Sequence, residues 1–503
     1  MRTQAKMERE FVMKRELPPE PNLEQLKNQA KDLLKAHKAA DPDAIQRVQE
    51  STPGKSIAKL RLSDAQLVIA REYGFASWPK LKKHVEQGDD PLTLLRKAFH
   101  DKDAGRLRRL LNRYPEFKAK INDPINEFGS PIITHAGTPE LIDVLLEAGA
   151  DINAKSNWWA GGFALVHSAK PEIARYAIQR GAVVDVHAAA RLGMLDQLRE
   201  LLSANPELVH ARGGDGQTPL HFANTIEIAE YLLSKGADIN ARDVDHESTP
   251  AQYMLDGRQE IARYLVKRGC TTDILMATAL GDEPLVRKHL EQDPNCIHMR
   301  VSDEFFPMIG GKTGGTIYQW TLGWHVSAHQ VAKKVGHESI FSLLMEQSPL
   351  PLKLITACWL GDESLVDQLG SANVVFNALE QRQVAHAARN NETAALRLML
   401  SLGLPVTVRG QHNATPLHWA AWHGNVEMVR EILRRNSPLE DKQNDFAGTP
   451  MRWAIHGSEN GWYRDKGDYA SVVEELLGAG ATPPVKIEGS EAVQQLLQKY
   501  HRA

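Results

Sequence analysis

The stretch DGQTPLHFANTIEIAEYLLSKGADINARD, residues 215–243, decides how the rest of the chain is read. Thr218 stands before Pro219, and a threonine followed by proline is a helix start: the hydroxyl caps, and the missing proline N–H falls where no helical bond would form. The run IAEYLL spaces apolar residues three and four apart, which gives a second helix one buried face. Gly236 follows, where a helix end turns left-handed at little cost. Two short helices with a polar turn between them cannot bury their apolar faces alone. The stretch therefore predicts neighbours of its own kind.

Such neighbours are present at a period of about thirty residues, the range in which self-similarity signals a stacked array. NATPLHWAAWHGNVEMVREILRRNSPLEDKQ (413–443) and SPIITHAGTPELIDVLLEAGADINAKS (130–156) are clear copies. Units at 185–212, 273–300, 351–370 and 383–406 lack the Thr-Pro opening but keep two short helices around a small or polar turn. These motifs, Thr-Pro-Leu-His, a Leu-Leu second helix and Gly-Ala-Asp-x-Asn, resemble the ankyrin repeat. The resemblance implies an all-α solenoid of about ten to eleven units with short β-hairpin loops. It further implies a concave groove, lined by first helices and hairpin loops, that binds a protein partner. His221 and His418 of the motif are expected to hold turns rather than to act on a ligand.

The expected organisation is a flexible start (1–20), a helical module (21–89), repeats over 90–300, an insertion at 301–326, repeats again over 327–482 and a capping helix at 487–503. The module resembles short helical segments that precede repeats in many bacterial proteins, and its expected role is to cover the first unit. Ser63 is its expected cap, with Pro79 opening a later helix.

Composition narrows the function. The 503 residues carry 60 Lys and Arg against 63 Asp and Glu, so no basic footprint for nucleic acid is present. No run reaches the length of a membrane helix, and the start has no apolar leader core, so a cytoplasmic location is expected. Cys270, Cys296 and Cys358 are too scattered for a disulfide framework and read as small apolar residues. No cofactor is called for.

Two departures from the period carry the functional expectation. The first, VSDEFFPMIGGKTGGTIYQWTLGWH (301–325), is aromatic and β-branched around glycines and predicts an extended β-hairpin. Its GGKTGG string lacks the first glycine of a phosphate loop, since Phe306 occupies that position. The second is ENGWYRDKGD, expected to be a loop at 458–468 inserted between two helices that normally follow almost at once. Seven of the ten tryptophans fall between 320 and 462. Trp320, Trp419, Trp422, His423, Trp453, His456, Trp462 and Arg464 are the candidate binding residues, because Trp and Arg concentrate at recognition surfaces. His423 and His456, with Asp445 and Asp468, are the weaker candidates for acid/base work on a small polar or carbohydrate-like ligand enclosed by the two insertions. His325 and His329 sit four apart, but no third ligand accompanies them, and no metal is expected.

Overall fold

The computed structural model describes residues 15, 17, 21–51, 60–87, 90–126, 128–311, 313–370 and 373–500. Most of the expected 1–20 segment and Lys312 of the glycine-rich string therefore lie outside the described residues. Among the described residues the regular structure is helical, and β-pairing is limited to isolated bridges at Pro124–Pro131, Lys155–Ala164 and Arg300–Ser327. No described helix is long and apolar enough to cross a membrane.

Contacts divide the chain into two units: residues 1–123 with 135–151, and residues 124–134 with 152–503. The first begins with helices Leu23–Lys38, Pro42–Ser51, Leu62–Glu72 and Trp78–Gln87. They close around Leu26, Leu33, Val48, Val68, Ile69 and Leu81. Arg47 donates to both oxygens of the nearly buried Glu72 at 2.8 and 2.9 Å, a forked geometry that offsets the cost of burying the carboxylate. The start of the Leu62–Glu72 helix differs from expectation. Asp64, not Ser63, satisfies it, accepting from the Arg61 N–H at 2.9 Å.

In the second unit the Thr-Pro-Leu-His element acts as a fastener. His221 Nδ1 accepts from the Thr218 N–H at 3.1 Å, which leaves the proton on Nε2 to donate to the Ser248 carbonyl at 3.1 Å. His418 repeats the arrangement, with Nδ1 taking the Thr415 N–H and Nε2 within 3.0 Å of the Gly448 carbonyl. Each histidine thus caps its own helix and holds the hairpin turn of the next unit. Burial pushes the His221 imidazole down to about 3, so it stays neutral and keeps this bonding pattern.

The 301–326 insertion contains no paired strands among the described residues, against the expected β-hairpin. The Arg300–Ser327 bridge closes its base, the chain then runs through turns, and Tyr318–Thr321 forms one helical turn. The cause is burial. Thr316, Ile317 and Tyr318 are consecutive and all buried, which a hairpin strand with one face in solvent does not allow. Tyr318 is fully buried, meets Phe306 edge-on and donates to Asp273 Oδ2 at 2.7 Å. Of the aromatic residues that suggested a strand, Tyr318 and Trp324 are core residues, while Trp320 is exposed.

The cysteines are free, with Cys270 and Cys358 buried. Burial pushes the Cys358 thiol up to about 12, far from the thiolate form that reacts. The second unit ends in the Glu491–Tyr500 helix, which buries Val493 and Leu497.

Candidate functional site

The helices Gln383–Arg389, Pro416–Trp422 and Pro450–Asn460 pack side by side. Positions three apart on the last two bring Trp419 and Trp422 beside Trp453 and His456. Trp419 meets Trp453 edge-on at 5.2 Å, and Trp422 lies 5.8 Å from His456. Trp419 and Trp453 are 3% and 7% exposed, so they form the floor of the cluster rather than its surface. His456 is exposed.

The Pro450–Asn460 helix runs two residues past its expected end at Ser458, so the inserted loop begins at Gly461 instead. Glycines explain how the loop folds back. A side chain at Gly461 would meet the Gly457 carbonyl at 2.5 Å, and one at Gly467 would meet the His423 carbonyl at 2.5 Å. Gly424, at φ +65°, passes 2.9 Å from Gly467 by the same measure. The Asp468 N–H then donates to the Gly424 carbonyl at 3.0 Å. Only glycine permits backbone to lie this close to backbone. The loop is thereby laid against the Trp422–Gly424 turn. Trp462 stacks on Trp419 at 6.0 Å and 21°, and Tyr463 meets His423 edge-on at 5.1 Å.

Arg389, which sequence reasoning missed, stands at the centre. Its guanidinium carbon lies 4.9 Å from the Trp462 ring centroid, 5.7 Å from Trp324 and 5.9 Å from Trp419. Gln411 Oε1 accepts from Arg389 Nε at 3.0 Å and from Trp324 Nε1 at 3.2 Å. No carboxylate pairs with this arginine among the described residues. Burial among the rings pushes its guanidinium down to about 10, still charged at neutral pH. Trp324 belongs to the 301–326 insertion and Trp462 to the second loop, so the two departures from the repeat meet over one cation. Around them, Phe446 is 64% and Trp462 57% exposed. His412 lies 5.2 Å from Phe446 and 3.4 Å from Asp445.

The remaining candidates fall elsewhere. Trp320 is 73% exposed on the Tyr318–Thr321 turn and has no ring contact among the described residues. Arg464 points to solvent and lies 3.9 Å from Asp465. The four acid/base candidates are not assembled. His423 Nε2 donates to the Arg389 carbonyl at 2.9 Å, and burial pushes its imidazole down to about 4. His456 shares a 3.3 Å contact with Asn460, Asp468 caps the Tyr469–Gly478 helix, and Asp445 faces His412 and Asn413. His325 stacks on His386 at 3.6 Å, while His329, four residues on, bonds Ser348 at 2.8 Å. The cavity beside that stack, lined by His298, Arg300, His325, Glu380 and His386, encloses about 20 Å³, room for a single water.

A family model described as "Ankyrin repeats (3 copies)" matches residues 186–276 and 354–444. The chain carries ankyrin repeats. The second match holds Arg389, Gln411, Trp419 and His423, while Trp324 and Trp462 lie outside both. The cation therefore sits on the repeat scaffold, and two of the rings over it come from additions.

Among curated proteins, the chain is similar to ankyrin repeat and SAM domain-containing protein 6 of Rattus norvegicus. That similarity is 27% identity over 135 residues, covering 26% of this chain and 15% of that protein. It is also similar to ankyrin repeat domain-containing protein SAT10 of Stachybotrys chartarum, 21% identical over 454 residues, covering 82% of this chain and 21% of that protein. Both relatives extend far beyond what the chain spans. Among solved structures, the human ASB11 ankyrin repeat domain matches 60% of this chain and 100% of its own at 19% identity, with a TM-score of 0.24.

Proposed function

We propose that the protein is a recognition scaffold whose repeats present an anchor for a protein partner, with Arg389 as its centre. One observation carries this reading: a charged guanidinium held by Trp324, Trp419 and Trp462, with amide neighbours and no carboxylate partner among the described residues. A half-buried guanidinium held only by amide oxygens and ring faces can still gain from a carboxylate brought by a ligand. The group that fits is an Asp, Glu or chain-terminal carboxylate, which takes a guanidinium in a two-pronged bond. Phe446 and Trp462 supply exposed aromatic surface beside it for apolar residues flanking that carboxylate. The interaction role usual for ankyrin repeats supports the same class of partner.

Selection of displayed peptides against the purified chain tests this. Selected sequences are expected to share a carboxylate, and Arg389→Gln is expected to weaken them at least tenfold while the far-ultraviolet circular dichroism stays the same. Peptides that bind both proteins equally would remove Arg389 from the site. The rival reading, a small polar ligand enclosed by the two insertions, draws support from the way Trp324 and Trp462 converge. Against it stands the dispersal of the four acid/base candidates.

A further inference from the structure

We propose a second, separate site: a divalent metal ion held by Asp215, Asp245 and His246 at the tips of two consecutive repeat hairpins. One ligand atom from each residue lies within 4.8 Å of the other two. His246 Nε2 stands 3.9 Å from Asp245 Oδ2. Metal–ligand bonds of about 2.1 Å separate neighbouring ligands by roughly 3–3.5 Å, so small rotations of the side chains close the set.

Three features distinguish the cluster from the acidic tips that hairpins often carry. His246 Nδ1 lies 2.7 Å from the Gly315 carbonyl and can only donate there, which places the lone pair on Nε2, facing the carboxylates. Backbone carbonyls that orient imidazoles in this way are the usual outer support of a metal-bound histidine. Asp245 is 5% exposed, and Trp158 Nε1 holds its Oδ2 at 3.0 Å, while its Oδ1 is buried with no donor. An orphaned anionic oxygen in that position calls for a cation. Asp243, by contrast, is occupied, accepting from the Ser248 and His246 N–H groups and from Tyr253. It is not part of the set. No lysine or arginine pairs with Asp215 or Asp245 among the described residues.

The backbone is already set for the purpose. Asp215 adopts φ +54°, and its carbonyl accepts from the N–H groups of Val244 and Asp245 at 2.9 and 3.1 Å, locking one tip to the next. Above them the 301–326 insertion is tied down by Gly314 N–H to the Asp245 carbonyl, by Glu247 to the Ile309 and Gly310 N–H groups, and by His246 itself. An ion here joins two repeats and the insertion. Two carboxylates with one imidazole suit zinc, manganese or iron(II) rather than calcium, which prefers oxygen alone. Sequence reading found no such set because its members come from tips thirty residues apart and because His246 is oriented by a residue of the insertion.

The test uses the full chain stripped with a chelator and titrated with zinc chloride and, separately, manganese chloride. One equivalent of one of them is expected to bind, and binding is expected to weaken at least tenfold in Asp245→Asn and in His246→Ala. Carbethoxylation of His246 in the unaltered chain, mapped by mass spectrometry, gives a readout that needs no variant. Saturating metal is expected to block it. No saturable binding, binding that survives both substitutions, or a His246 that stays reactive in saturating metal would each overturn the site.

Discussion

Trp462 faces Arg389 at 4.9 Å while remaining 57% exposed, so one side of its ring covers the cation and the other meets solvent. On the proposed function, such a residue contributes more to recognition than to stability. Trp462→Ala is expected to change the unfolding midpoint only slightly, removing a cation–π contact worth about 0.5–2 kcal/mol. It is expected to weaken carboxylate-bearing peptides at least fivefold by calorimetric titration. A large fall in stability with unchanged affinity would make Trp462 a packing residue.

Gly467→Ala is expected to detach the loop. Its new methyl would press on the His423 carbonyl at 2.5 Å, and the backbone must move to relieve it. The near-ultraviolet dichroism of the packed tryptophans, Trp419 and Trp462 among them, should weaken while the helical signal remains. An unchanged near-ultraviolet spectrum would show that the loop holds by its rings alone.

Tyr318→Phe is expected to cost about 1–3 kcal/mol, because Asp273 loses a 2.7 Å donor in a buried setting. Tyr318→Ala adds a cavity and should cost about 3–5 kcal/mol in total. Chemical denaturation measures both. Equal effects would place all of the cost in the hydroxyl.

Acid should destabilise the chain well before its carboxylates titrate in bulk. Burial pushes His221, His329 and His386 down to about 3, and His423 to about 4. Unfolded histidines take up a proton near 6.5, so below that pH the unfolded chain binds more protons and stability falls as pH falls. Asp215, raised to about 6 by burial beside Asp245, acts in the opposite sense, as do Asp243, Asp273 and Asp303, which burial also raises. The depressed histidines outnumber them, because burial lowers His187, His289, His298, His325 and His418 as well. Thermal unfolding should therefore begin at lower temperature at pH 5 than at pH 7. A level profile would contradict the depressed histidines.

The repeat was legible because Thr218, Pro219 and His221 act locally, and their spacing alone fixes what they do. The floor of the aromatic cluster was legible for the same reason: Trp419 and Trp422, like Trp453 and His456, are three apart on helices. Arg389 was not, since it stands in the degenerate unit QVAHAARNN and gains its meaning from rings at 324 and 462. The glycines at 457, 461 and 467 were the available signal for the loop's return, and the aromatics around them drew the reading instead. The supposed hairpin failed because β-branched and aromatic residues mark burial as readily as strand. Tyr318 shows which it was.

The bridge between Arg300 and Ser327 has one more consequence. The chain leaves the array and rejoins it at adjacent points, so the exposed turns between can lengthen or shorten without shifting the phase of the units on either side, while the buried Thr316–Tyr318 segment stays fixed in the core. Recognition surfaces built on such a detour can diversify at the pace of a loop, while the scaffold that carries them keeps its rhythm.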